Sequence, residues 1–208
     1  MNNRAVGRIG AFVTGLAVLV FSASMFFGLF LNTIFLSCLA SIFIAIGFVM
    51  FSAALFSCNK DKESKAVGAS GMAFSIIYAV LIFVVYFAEI TTVRINGSLS
   101  HEALSIISYG YLGSLFFNYN LLGYGFMGLA TFFLGFAVLL KDKGDKFLRG
   151  LLWGHGVFFV SCFVVPMFPI FTAGTSSIVG TILLEVWCAY FLPICVLGHR
   201  YFHKMQSE

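Results

Sequence analysis

The sequence predicts an all-α, polytopic transmembrane helix bundle of six spans with both termini on the cytoplasmic side. Three observations predict it: the composition, the length of the uncharged runs and the placement of the basic residues. Of the 208 residues 61% are hydrophobic and 10% charged, against roughly 25% charged in an ordinary soluble domain. Ile9 to Ser57 runs for 49 residues without Asp, Glu, Lys, Arg or His. Ala66 to Ala88 adds 23, Ala103 to Leu140 adds 38, and Gly150 to Leu184 adds 35 that are interrupted only by His155. A helix needs about 20 apolar residues to cross the hydrocarbon core, so each run has room for one or two spans.

The basic residues orient these spans. Arg4 and Arg8 precede the first run, Lys60, Lys62 and Lys65 fill the second gap, Lys141, Lys143, Lys146 and Arg149 the fourth, and Arg200 and Lys204 the tail. Arg94 alone lies elsewhere. With six spans and an inner N-terminus, eleven of the 12 Lys and Arg fall on the cytoplasmic side, which is the positive-inside pattern. Scattered over short loops, they form no basic stripe, so the net charge of +4 does not point to nucleic acid. The expected partners are the lipid bilayer and either another membrane subunit or a second copy of the chain.

Span one is expected at about residues 10–30, because Gly28, Asn32 and Thr33 form the permissive cluster near the middle of the first run. Arg4 and Arg8 ahead of an apolar stretch and the small residues Ser22, Ala23 and Ser24 also fit a signal peptide. Downstream topology is the same either way. Span two is expected at about 34–57, closed by Lys60-Asp61-Lys62-Glu63, and span three at about 67–88, with Glu89 and Arg94 marking its outer exit. Ser98 or Ser100 fits as the cap of a helix beginning at His101-Glu102. Ala103 to Phe117 is apolar but short and holds Gly110 and Gly113, so about 101–117 reads as an interfacial or re-entrant segment. Spans four to six follow at about 120–140, 149–166 and 175–197, with Pro166 and Pro169 breaking the chain between the last two.

Chemistry concentrates in the sixth expected span. Glu185 lies near its middle, where a charged side chain costs roughly 2.5 to 3.5 kcal/mol on insertion scales. Such an acid needs a wet cavity or a polar partner. One reading is a proton or cation site, or an acid that binds a cationic substrate; the other is a hydrogen-bonded glutamic acid tying two helices together. Pro193, two turns further on, cannot donate to the carbonyl of Ala189 and predicts a kink beside the acid. His155, in Trp153-Gly154-His155-Gly156, is the second intramembrane candidate, either as a relay partner for Glu185 or as a packed core residue. A haem would require a second axial ligand that no other span offers, and no metal site is expected. Glu185 and His199 are roughly 21 Å apart along one helix. His199 and His203, at i and i+4, sit among Arg200 and Lys204 and read as a headgroup-facing tail. The five cysteines lack metal-ligand spacing and read as reduced packing residues. There is no GxSxG, HExxH or phosphate-binding glycine loop, so no catalytic residue or cofactor is predicted.

Val85-Tyr86-Phe87 through Thr92-Val93-Arg94, then Leu122-Gly123-Tyr124-Gly125-Phe126-Met127-Gly128-Leu129-Ala130-Thr131, then Leu148-Arg149-Gly150-Leu151-Leu152 resemble a group of uncharacterised bacterial six-span membrane proteins of about this size. The resemblance implies six spans and a bacterial plasma membrane, and no activity.

Overall fold

A computed structural model of the protein describes residues 2–59, 65–168 and 177–206. Lys60-Asp61-Lys62-Glu63 and Pro169, which the sequence reading placed in turns, lie outside the described residues. All regular structure within them is helical. Helix α1 spans Asn3–Phe27, α2 Ile34–Cys58 and α3 Lys65–Ala88, the last continuing as a π turn over Glu89–Val93. A short α4 (His101–Ile107) precedes α5 (Leu115–Gly135), α6 (Lys143–His155), α7 (Val157–Val164) and α8 (Ser177–Gln206).

Capping side chains set several of these starts. Asn2 accepts from the Ala5 N–H at 2.8 Å, Ser100 from Ala103 at 3.2 Å and Ser114 from Phe117 at 2.9 Å. The Ser114 cap is why α5 begins at Leu115; the helix ends at Gly135, so both ends lie several residues earlier than the 120–140 expected from apolarity. Asp142 caps α6 with a reciprocal box through Asp145. The cap brings the helix start forward into the charged loop at Lys143, whereas apolarity placed the start at 149. Segment 101–117 divides into α4, which buries no residue, a turn over 108–114, and the first residues of α5. Gly113, at φ 81°, supplies the left-handed conformation that lets this turn reverse.

The long helices close a circuit. α1 packs on α2, α2 on α3, α3 on α5, α5 on both α6 and α7, α6 on α8, and α8 back on α1. One cluster of buried side chains fills it, including Phe48, Tyr78, Tyr124, Trp187 and Phe191. Phe48 meets Tyr78 edge-on at 5.6 Å, and Trp187 stacks on Phe191 at 5.2 Å. Outward, the helices present Phe12, Leu16, Val80, Phe87, Val160 and Val186, all exposed. Apolar outside as well as inside, the bundle is built for a hydrocarbon solvent.

Among the described residues, five helices are long and apolar enough to cross a membrane: Asn3–Phe27, Ile34–Cys58, Lys65–Val93, Lys143–Met167 and Ile178–Met205. The chain is a multi-pass membrane protein. Helix α5 has the length, at 21 residues, but Asn118, Asn120 and its glycines and tyrosines dilute its apolarity. Its surroundings explain this: Asn120, Tyr124, Thr131 and the glycines at 123, 125, 128 and 135 are buried against other helices, so α5 meets protein where its neighbours meet lipid.

The closest helix contact is α1 on α2. A Cβ at Gly10 would sit 2.5 Å from the Phe51 backbone nitrogen, and one at Gly47 would sit 2.5 Å from Thr14 Oγ1 and 2.7 Å from its nitrogen. Backbone cannot move aside as a rotamer can, so small residues here set the interhelical distance. Of the Gly150/Gly154 pair, Gly154 meets the Tyr190 hydroxyl, whereas Gly150 faces open space. Gly47→Ala is expected to lower the thermal midpoint in detergent, by the equivalent of about 1 to 3 kcal/mol of overpacking, and Gly150→Ala to leave it unchanged. Equal midpoints for the two variants would contradict this packing.

Candidate functional site

Glu185 faces α1. Its Oε2 accepts a hydrogen bond of 2.5 Å from the Ser22 hydroxyl, while its Oε1 is buried with no hydrogen-bond partner among the described residues. The residue is half-buried, and Ile182, Leu183 and Val186 beside it are exposed, so the acid lies along one edge of the α1/α8 seam. Helix α8 runs on to Gln206, well past the expected 197, which puts Glu185 in the first third of the described helix. Ala189 and Pro193 follow at i+4 and i+8 on the same face. Helix α8 continues through Pro193, and because proline has no N–H the Ala189 carbonyl lacks its helical donor.

His155 is at the other side of α8. It ends α6, where Gly156 divides that helix from α7, and it is completely buried. The Trp187 indole N–H donates to His155 Nε2 at 2.9 Å, and His155 Nδ1 lies 2.8 Å from Thr131 Oγ1. Because indole is a donor only, Nε2 must accept and Nδ1 carries the proton. That N–H then donates to the Thr131 oxygen, whose own hydroxyl donates to the Gly128 carbonyl at 2.8 Å. The line runs from α8 through α6 to α5 with every group satisfied. Phe158, Tyr190 and Phe191 enclose the ring at centroid distances of 5.1, 6.0 and 5.0 Å. Glu185 and His155, for which a relay was one of two alternatives, are engaged separately, one by Ser22 and the other by Thr131 and Trp187.

Two further clusters occupy opposite ends of the circuit. At one end Lys204 of α8 pairs with Asp142 at 2.5 Å and with the buried Asp145 at 2.8 Å, and Asp145 also accepts the N–H groups of Lys141 and Asp142 at 3.0 and 3.2 Å. These groups, with Tyr201 and Met205, line a cleft of about 100 Å³. The hydrogen bond from Lys204 holds the Asp142 carboxyl below its ordinary value of 3.8. The cations of this loop stand out in sequence more than its acids, although Asp142-x-x-Asp145 ahead of an apolar run is a capping-box spacing. At the other end Glu89, expected with Arg94 to mark the outer exit of span three, is buried at 7% exposure inside the π turn. Its carboxylate accepts the Tyr109 N–H at 2.9 Å and the Ser108 hydroxyl at 3.2 Å, so it organises the 108–114 turn. Arg94 does not pair with it; its guanidinium donates to the Ile90 carbonyl at 2.9 Å and lies 4.9 Å from the Phe35 ring. Among the described residues no group of three or more His, Cys, Asp or Glu converges as a metal site.

No family model, curated protein or solved structure matches the chain. Its site is therefore read from side-chain chemistry.

Trp187→Phe removes the donor to His155, and Thr131→Val removes the acceptor on the opposite side of the ring. Each leaves a buried nitrogen unpaired and is expected to cost about 1 to 3 kcal/mol of stability. The double variant is expected to cost less than the sum, because both act on one imidazole. Additive losses in detergent unfolding would show that the two contacts are independent.

Proposed function

We propose that the chain is a six-span protein of a bacterial plasma membrane, with both termini cytoplasmic, that works as a small transporter whose Glu185 binds a proton or a cation. Helix α5 serves as the fourth span: its 21 residues rise about 31 Å, the thickness of a hydrocarbon core. Six crossings leave Arg94 as the one outer cation, in accord with the positive-inside rule, and agree with the resemblance to bacterial six-span proteins.

The observation that carries the transport reading is the divided state of the Glu185 carboxyl, one oxygen held by Ser22 and the other buried without a partner among the described residues. A fully satisfied acid resists exchange of its proton or cation. One with a spare oxygen has room for either, and the Ala189 carbonyl on the same face supplies a further oxygen of the kind that interrupted helices present to cations. In proteoliposomes loaded with a pH-sensitive dye and given a sodium or potassium gradient, wild-type protein is expected to move protons. Glu185→Gln is expected to abolish that flux while keeping the thermal midpoint and a single gel-filtration peak. Full flux in the variant would remove Glu185 from the mechanism.

A second reading, a non-transporting subunit or scaffold beside another membrane protein, draws on α6 and α7. Helix α7 buries no residue within the chain, and Lys143–Met167 is the least buried of the five apolar spans. Such a subunit would co-purify with a stoichiometric partner and conduct nothing. The orientation has its own test: an epitope inserted after Gly97 is expected to be reached by antibody on intact spheroplasts, and one appended after Glu208 only after permeabilisation. The reverse pattern would invert the topology.

A further inference from the structure

The opening turns of α6 carry three cations, Lys143, Lys146 and Arg149, and the acids of the same segment do not neutralise them. Asp142 and Asp145 are both committed to Lys204 of α8. Among the described residues the three cations pair with no acid, so an excess of positive charge remains where α6 begins.

Helical periodicity sorts the residues around these cations. Asp145, Leu148, Leu152 and His155 are buried towards the bundle, which leaves Lys143, Lys146, Gly150 and Trp153 to share the outward face. Gly150 is a gap in that face, because a Cβ there would meet nothing within 4 Å. Lys146 stands one turn before the gap and Trp153 one turn after it. The indole is held in place: a Cβ at Gly135 would fall 2.5 Å from Trp153 Cδ1, and the Phe136 ring lies 5.0 Å from the Trp153 ring. Arg149 borders the gap. It donates to the Val138 carbonyl at 2.5 Å, and its guanidinium carbon lies 5.6 Å from the Trp153 ring. A guanidinium has five N–H donors, so one carbonyl does not saturate it.

We propose that Lys146, Arg149 and Trp153, set around the notch at Gly150, form a binding site for the headgroup of an anionic phospholipid. Charge and depth both select this occupant. Side chains on a helix lean towards its N-terminus, so the heads of Lys146 and Arg149 reach back towards the charged loop while their stems lie along apolar surface. A phosphodiester at that level meets donors from both, beside an indole of the kind that sits at headgroup depth. Its acyl chains continue over apolar side chains, since Phe136 and Phe147 are exposed beside the notch and α7, which buries no residue, exposes Val157 and Val160. A zwitterionic lipid offers the same phosphate but brings a cation of its own against Lys146 and Arg149. The site therefore discriminates by headgroup charge, and it is independent of Glu185, which lies on the α1/α8 seam.

Fluorescence quenching by brominated lipid tests this. The chain has 2 tryptophans; Trp153 is exposed and Trp187 is buried in the core, so quenching from the lipid reports on Trp153. In phosphatidylcholine vesicles containing equal mole fractions of brominated phosphatidylglycerol or brominated phosphatidylcholine, the anionic lipid is expected to be preferred by about fivefold for each cation it engages. Lys146→Gln and Arg149→Gln are each expected to lower that preference by about fivefold, and Arg94→Gln, in the segment after α3, to leave it unchanged. Because Arg149 also holds the Val138 carbonyl, the exposed Lys146 supplies the variant that spares the fold. Equal quenching by the two lipids in the wild-type protein, or a preference that survives both Lys146→Gln and Arg149→Gln, would overturn the site. So would its loss in Arg94→Gln, which would trace the preference to net charge alone.

Discussion

The hydrogen-bonded line from Trp187 through His155 and Thr131 to Gly128 joins three helices by their side chains at a depth where lipid offers no substitute partner. In water, an imidazole released from such contacts would find solvent. In hydrocarbon it would find nothing, so the helices that carry its partners stay in register. The register of α8 follows from it. With Trp187 fixed on His155, Tyr190 reaches the Leu151 carbonyl at 2.8 Å, Tyr201 reaches the Leu139 N–H at 3.1 Å and Lys204 reaches Asp145. Glu185, on another face of the same helix, is thereby turned towards Ser22.

The two faces of α8 consequently do different work. The face towards α6 is saturated, with each nitrogen and hydroxyl of the His155 line engaged, and it behaves as a strut. The face towards α1 carries an acid with one oxygen engaged and a proline that frees a carbonyl one turn away. Glycines on α1 let α8 approach: a Cβ at Gly15 would come 3.1 Å from that of Cys195, and one at Gly7 would fall 2.5 Å from the Phe202 ring.

The long apolar helices were legible because lipid demands an unbroken apolar run, and 49 residues without a charge admit no other solvent for Ile9 to Ser57. Helix α5 was harder. Hydropathy reports contact with lipid, and α5 spends its polar residues on protein. Helix boundaries followed caps, not apolarity, which is why Ser114 and Asp142 moved the starts of α5 and α6 towards the N-terminus. Glu185 and His155 stood out as ionisable residues inside apolar runs, but their partners did not. Ser22 reads in sequence as one small residue among others, and Thr131 and Trp187 carry no mark that associates them with His155, because they come from helices 24 and 32 positions away. Glu89 was visible as the end of its apolar run, but not the turn over 108–114 that folds over it and buries it.

The circuit also bears on the order in which the protein is made. Helices emerge from the ribosome in sequence, and those from α1 to α5 find their neighbours as they appear. The α6–α7 segment packs on α5 but contains a histidine whose indole donor has not yet been synthesised. The last described helix supplies that donor, the clamp on Asp145 and the contact back to α1 together. A chain stopped before Trp187 would therefore leave His155 without its indole donor and Asp145 without its lysine, each held only by the partners that precede α8.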